Sequence, residues 1–322
     1  MSNVLVTSIG SASAESVLHS LKTHGNYVVG TNIYEEAHTY CSGLVDRFYK
    51  VSRSDNPKFV SELVNICETE RIEFVILLTD VEIDALNKNR EIFINKGIII
   101  CFADYDCISV CRNKRSSSEL VRKFGICKVP DELSSITEST KFPVICKRID
   151  GRSSQGMCIL HSFEEYNEVK EKYLNDKNYI FQNFVDGNVV TVDLLRFGET
   201  IVSISREEFV RTPNGLGISV QTFYNEVLES IVRKIAEALN IFGCVNFEFI
   251  RTSENCFYFL ECNPRFSGGV NFSILSGYDF VINHLNCFSG KKVSNNVSLV
   301  EQVINRKYTD LIYSKGDKNA QD

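Results

Sequence analysis

The feature that most constrains this chain is a change of pattern near residue 112. Before it, short β-branched runs alternate with helical spacing; after it, longer apolar runs follow one another across turns. Residues 3–9 form an apolar run closed by Gly10-Ser11-Ala12, and Val17, Leu18 and Leu21 then recur at helical intervals towards Gly25. Strands are expected at 27–30, 74–78 and 98–102, with helices at 59–67 and 83–94. That alternation predicts a small parallel sheet covered by helices on both faces. Beyond it the spacing predicts a helix over 117–124, strands at 144–147 and 157–160, and a helix over 163–174. A strand at 179–184, a hairpin of 189–197 with 200–207, an amphipathic helix over 226–239, and strands at 244–251 and 256–262 complete the reading. The fold class is therefore α/β followed by α+β. Four parts are expected: 1–112, 113–185, 186–313, and a small polar tail, 314–322, expected to be disordered.

Charge removes several function classes. With 35 basic and 41 acidic residues in 322, the net charge of −6 offers no general attraction to nucleic acid or an anionic membrane. No apolar run approaches the ~20 residues that span a bilayer, and the N-terminus lacks a basic flank and a long apolar core, so a cytoplasmic location is expected. Twelve cysteines run from Cys41 to Cys287 without a CxxC pair, beside five histidines. They read as reduced thiols filling the core. The first turn, GSASA, is no GxGxxG, and Asn32 stands where a nicotinamide-binding unit carries an acidic ribose ligand, which argues against an oxidoreductase.

The residues that carry chemistry lie in the second part. Glu248 in VNFEF and Glu261 in LECNPR sit on neighbouring strands, with Asn263 two positions beyond Glu261 on the same face. Three oxygen donors held by a sheet suit Mg²⁺ bridging a nucleotide triphosphate. Lys147 ends the strand FPVICK ahead of the polar loop 150–156, whose glycines and hydroxyls can wrap phosphates. Lys114 supplies a second cation. FQNFVDG supplies a strand edge on which adenine can pair.

In this order the blocks NK…GICKVP, FPVICKRIDGRSSQG, FQNFVDGNVVTVD and VNFEF…FLECNPRFSGG resemble the ATP-grasp superfamily. The branch is the one that looks like a single synthetase module of the carbamoyl-phosphate synthase large subunit, matched over roughly residues 113–275. The resemblance implies a two-part ATP-grasp fold behind the parallel-sheet domain, with ATP and Mg²⁺ (or Mn²⁺) bound. It implies that Lys114 and Lys147 contact phosphates, that Ser153, Ser154 and Gly156 belong to a lid, and that Gln182, Phe184 and Val185 form the adenine hinge. Glu248, Glu261 and Asn263 would hold the metal and Arg265 would face the transferred phosphate, with Lys147 sharing that catalytic role. The family's acidic ribose ligand is replaced by Gly187-Asn188-Val189, and Asp193 is the candidate substitute.

The implied activity is ADP-forming ligation of a carboxylate to an amine or ammonia through an acyl phosphate, with a sugar acid or amino acid as the acid. A lone module argues against making carbamoyl phosphate itself. A non-catalytic nucleotide-binding module is the alternative. For substrate, Arg206 and Arg211 read equally as a carboxylate clamp or as solvated strand-edge residues. Ser267, Gly268 and Asn271 either hold the acyl group or cap the following helix. Ser11 and Glu82 belong to the rim of the first sheet's crevice, where hydroxyls and acids suit an amine or a polyol. A homodimer is an admissible assembly.

Overall fold

The computed structural model describes residues 1–151, 156–174, 176 and 178–313, Leu174 in its backbone only. The expected tail therefore lies outside the described residues. The first part contains β1 (Asn3–Val6), α1 (Ala14–Thr23), β2 (Tyr27–Asn32), β3 (Arg47–Lys50), α2 (Phe59–Thr69), β4 (Phe74–Ile76), α3 (Asp80–Lys88), α4 (Arg90–Ile94) and β5 (Ile99–Ile100). All five strands are parallel, in the order β3-β2-β1-β4-β5. β1 lies at the centre, sending Leu5 into one core and Val4 and Val6 into another, as period-2 alternation requires. The single helix expected over 83–94 is two helices. It starts earlier, at Asp80, and breaks at Asn89, whose side chain donates to the Ala85 carbonyl at 2.8 Å and so competes with the helix backbone. β3 went unread because its edge position leaves it half solvated, without apolar alternation.

Two helices, α5 (Tyr105–Cys111) and α6 (Lys114–Lys123), lead out of this sheet. The Asn113 side chain accepts from the amides of Arg115 and Ser116 at 3.0 and 3.1 Å, which starts α6 at Lys114, three residues before the expected position. Next come β6 (Val144–Arg148), β7 (Cys158–Leu160), α7 (Phe163–Leu174) and β8 (Tyr179–Asn183), an antiparallel sheet of order β7-β6-β8 under one helix. This unit has its own core of Ile136, Val144, Cys146, Leu160, Tyr166, Tyr173 and Phe181. That core is separate from the other two.

The remainder is β9 (Asn188–Phe197), β10 (Thr200–Arg211), β11 (Gly217–Phe223), α8 (Glu226–Ala238), β12 (Gly243–Arg251), β13 (Phe257–Asn263), α9 (Val270–Leu275), α10 (Phe280–Ser289) and β14 (Val303–Asn305). Its strands form one antiparallel sheet, β13-β12-β9-β10-β11-β14. All twelve cysteines are free thiols, nine of them buried, in line with the core reading. Among the described residues no helix is long and apolar enough to cross a membrane.

The parallel and antiparallel sheets share cores, and α10 fastens the seam. Asp279 caps α10 by accepting from Val281 and Ile282 amides, and it also accepts from the Ser20 hydroxyl of α1 at 2.7 and 2.9 Å. One turn on, His284 Nδ1 accepts from the Cys244 amide at 2.8 Å, so Nε2 carries the proton and donates to the Cys101 carbonyl at 2.9 Å. The ring lies so close to β12 that a Cβ on Gly243 would stand 2.7 Å from Nδ1, and Gly243 also holds φ +82, so only glycine fits.

Burial lowers the His284 pKa from 6.5 to about 4. The unfolded chain therefore takes up this proton first. Stability from the neutral ring is fully present above pH 6.5 and is lost as pH falls towards 4, about 2 kcal/mol of it by pH 5. Urea unfolding between pH 7 and 4 is expected to show this loss. His284→Gln can accept and donate at both positions without titrating, so its acid limb should be flatter; an equal slope in both proteins would assign the loss to other groups.

Candidate active site

A cavity of about 830 Å³ opens beyond the carboxyl ends of β1 and β4, where the parallel sheet meets the β6–β8 unit and the strands β9 to β13. One wall is built by strand register. Asn246 stands opposite Asn263 and Glu248 opposite Glu261, so the four side chains share a face, and a register shift between Glu261 and Phe259 leaves Leu260 as an extra residue that bulges β13 there. The Asn263 amide nitrogen donates to Asn246 Oδ1 at 3.2 Å and to Glu261 Oε1 at 3.0 Å, which turns its Oδ1 outward as an acceptor. Asn246 escaped the sequence reading, although its place two residues before Glu248 puts it on the same face.

The cations converge on this patch. Lys114 Nζ lies 2.9 Å from Glu261 Oε2 and also donates to the Gly151 carbonyl. Lys147 projects from β6 into the cavity; burial pulls its pKa down to about 8 although Glu261 opposes the shift. Burial alone would raise Glu261, but Lys114 and the Asn263 hydrogen bond carry it below its ordinary value. Glu248 behaves oppositely: burial and then the charge of Glu261 push it up to about 7. Two carboxylates in facing register with an amide oxygen on the same face form a hard oxygen donor set that would suit a divalent ion. Arg265 also lines the cavity, but Asp80 of α3 holds its Nε and Nη2 at 3.0 and 2.9 Å, while Arg112 approaches the same carboxylate at 3.7 Å.

Gln182, Phe184 and Val185 line the cavity. The Phe184 amide donates to the Pro143 carbonyl at 3.2 Å, so its N–H is already engaged within the protein. Ile145, Met157, Ile159, Val189, Ile250 and Leu260 supply an apolar slot next to it. Ser153 and Ser154 lie outside the described residues. Gly156 is described, with φ +72 and the Tyr179 hydroxyl 2.7 Å from where a Cβ would sit.

Four of the expected residues have surroundings that the sequence does not show. Asp193 does not line the cavity: it lies on the same face of β9 as Val189 but further along, where it accepts from Arg206 at 2.6 Å and from Ser273 at 2.6 Å. Arg206 is not solvated; it is 1% exposed and also donates to Ser267 Oγ at 2.9 Å, so it is a structural ion pair at the cavity wall. Arg211 is half-buried, 2.7 Å from Glu208 and 3.6 Å from Glu248. Asn271 is exposed in the first turn of α9, away from the cavity, whereas Ser267 and Gly268 line it. Ser11 and Glu82 line the opposite side.

Two family models match the chain. Residues 4–101 match the PylC-like N-terminal domain, and residues 175–311 match "ATP-grasp in the biosynthetic pathway with Ter operon". The carbamoyl phosphate synthase large chain of Caldanaerobacter subterraneus subsp. tengcongensis is 24% identical over 231 residues, 66% of this chain but only 21% of that protein. The D-alanine--D-alanine ligase of Fusobacterium nucleatum subsp. nucleatum is 28% identical over 193 residues, covering 53% of this chain and 64% of that one. Among solved structures, N5-carboxyaminoimidazole synthetase from Staphylococcus aureus complexed with ADP superposes with a TM-score of 0.74 at 17% identity, over 92% of this chain and 80% of that one. The parallel sheet followed by two mixed lobes is the two-part ATP-grasp architecture.

Proposed function

We propose that the chain is a member of the ATP-grasp superfamily and acts as an ATP-dependent, ADP-forming ligase that joins a carboxylate to an amine or ammonia through an acyl phosphate, a reading supported by the two matched family models and the similarity to a D-alanine--D-alanine ligase. The observation that carries this reading is the convergence of Lys114, Lys147, Glu248, Glu261, Asn263 and Arg265 on one cavity. A binding module would need the hinge and lysines, but not two carboxylates in facing register beside an outward amide oxygen.

In this reading Glu248, Glu261 and Asn263 hold Mg²⁺, or Mn²⁺ in its place, which neutralises charge at the terminal phosphates. Lys114 and Lys147 bind phosphate oxygens, and Gln182, Phe184 and Val185 orient adenine in the apolar slot. The acid's carboxylate oxygen attacks the γ-phosphorus and ADP leaves. The amine nitrogen then adds to the acyl carbon, phosphate departs, and the nitrogen releases one proton. An acyl phosphate is lost to water unless the site closes. The β6–β8 unit, with its separate core and with Gly151 and Gly156 at the lid's ends, supports that closure.

Chromatography of the spent nucleotide tests the reaction class. ADP and phosphate are expected in equal amounts, and accumulation of AMP with pyrophosphate would overturn the proposal.

A further inference from the structure

Five buried or half-buried carboxylates line the cavity, and four of them have a basic partner. Asp80 has Arg265 at 2.9 Å, Glu208 has Arg211 at 2.7 Å, Glu261 has Lys114 at 2.9 Å and Glu248 has Arg211 at 3.6 Å. The fifth, Glu82, is only 4% exposed, yet hydroxyls surround it instead of cations. Thr7 and Thr79 each donate to its Oε2 at 2.7 Å, and among the described residues no lysine, arginine or histidine lies within ion-pair distance. Burial raises its pKa; the hydroxyls of Thr7, Thr79 and Ser8 and the Thr79 amide oppose that shift without reversing it, and among the described residues no cation neutralises the charge.

Local structure accounts for only part of that arrangement. Thr79-Asp80-Val81-Glu82 has the spacing of a capping box at the start of α3, and the Glu82 carboxylate does face the Thr79 amide, but the Thr79 hydroxyl does not cap the helix; it is turned towards Glu82. Ser8, at the end of β1 on the cavity wall, holds φ +50, a conformation serine seldom adopts. A capping box uses the Glu82 carboxylate but needs neither the diverted Thr79 hydroxyl nor the burial of the charge. A positively charged ligand group needs both, because the hydroxyls fix the carboxylate while leaving its charge unsatisfied.

Building on the ligase reading, we propose that Glu82, held by Thr7 and Thr79, is the recognition site for an alkylammonium group of the substrate. The ligated pair then includes an amino compound, such as an amino acid or a diamine, and not only bicarbonate or a neutral polyol acid. Ammonium specificity resides in the parallel-sheet domain, while nucleotide and metal are held by the other two sheets.

The test uses the full chain with Mg-ATP and a panel of L-amino acids, diamines, ethanolamine, ammonium, bicarbonate and glucuronate, reading ADP. Amine-bearing compounds are expected to raise turnover, with binding falling once pH passes the amine's own pKa. Glu82→Gln keeps acceptors for both threonines, and it should raise KM for the active amine by at least about thirtyfold while KM for ATP stays unchanged. Glu82→Asp, which keeps the charge, should recover part of that loss. A merely structural cap predicts the reverse: a lower melting temperature in Glu82→Gln with the amine KM unmoved, which would overturn the site. If Mg-ATP binds, seen as a raised melting temperature, and no amine improves turnover, the ammonium site falls and the ligase reading stands. If Mg-ATP does not bind, the ligase reading falls first.

Discussion

Glu261→Gln is expected to lower turnover at least about a thousandfold, some 4 kcal/mol of transition-state stabilisation, while the protein still folds. The side chain faces the cavity at the end of β13, so its apolar contribution is small. What it provides is charge: Lys114 at 2.9 Å and the Asn263 amide at 3.0 Å keep it ionised when its neighbour Glu248 is pushed up to about 7. Glutamine keeps the shape and the acceptor for Asn263 but removes the one carboxylate of the pair that stays ionised through neutral pH. Steady-state ADP release with a thermal melt measures both halves of the expectation. Wild-type turnover in Glu261→Gln would remove Glu261 from the site.

The same residues explain why part of this molecule was legible in its sequence. Glu248, Glu261 and Asn263 were readable because strand periodicity is 2 and two carboxylates on adjacent strands have few structural uses. Asn246 was hidden by its ordinary chemistry: its role emerges only from the register that sets it opposite Asn263. The parallel sheet was legible because β1 and β4 are buried on both faces, whereas β3, β11 and β14 lie at or near sheet edges, where solvent weakens the apolar signal. Pairings between distant residues left no local trace. Asp80 and Arg265 are 185 positions apart, and the separate core of the β6–β8 unit follows from packing alone. Arg206 shows the limit most clearly, since an arginine in ISREEF reads as strand-edge polarity until Asp193, Ser267 and Ser273 are seen around it.

Arg206 carries the largest expected effect on stability. Its guanidinium is 1% exposed, lies 2.6 Å from Asp193 and 3.6 Å from Glu208, and donates to Ser267 at 2.9 Å. Arg206→Ala leaves Asp193, itself buried, with only the Ser273 hydroxyl to accept from, and stranding such a charge costs about 3 to 5 kcal/mol. A fall in melting temperature of about 4 to 7 °C follows for a chain of this size. The loss belongs to the stranded anion rather than to the missing contact, and a second variant separates the two. Arg206→Met combined with Asp193→Asn removes both charges, keeps an acceptor for Ser273 and fills most of the volume, so it should recover more than half of the stability lost by Arg206→Met alone. A carboxylate clamp predicts another pattern. Arg206→Met would then melt near wild type, and its penalty would appear as a raised KM for the acid that Asp193→Asn does not relieve. Melting curves of the two singles and the double decide between them, because only the buried-pair account makes the second substitution restorative.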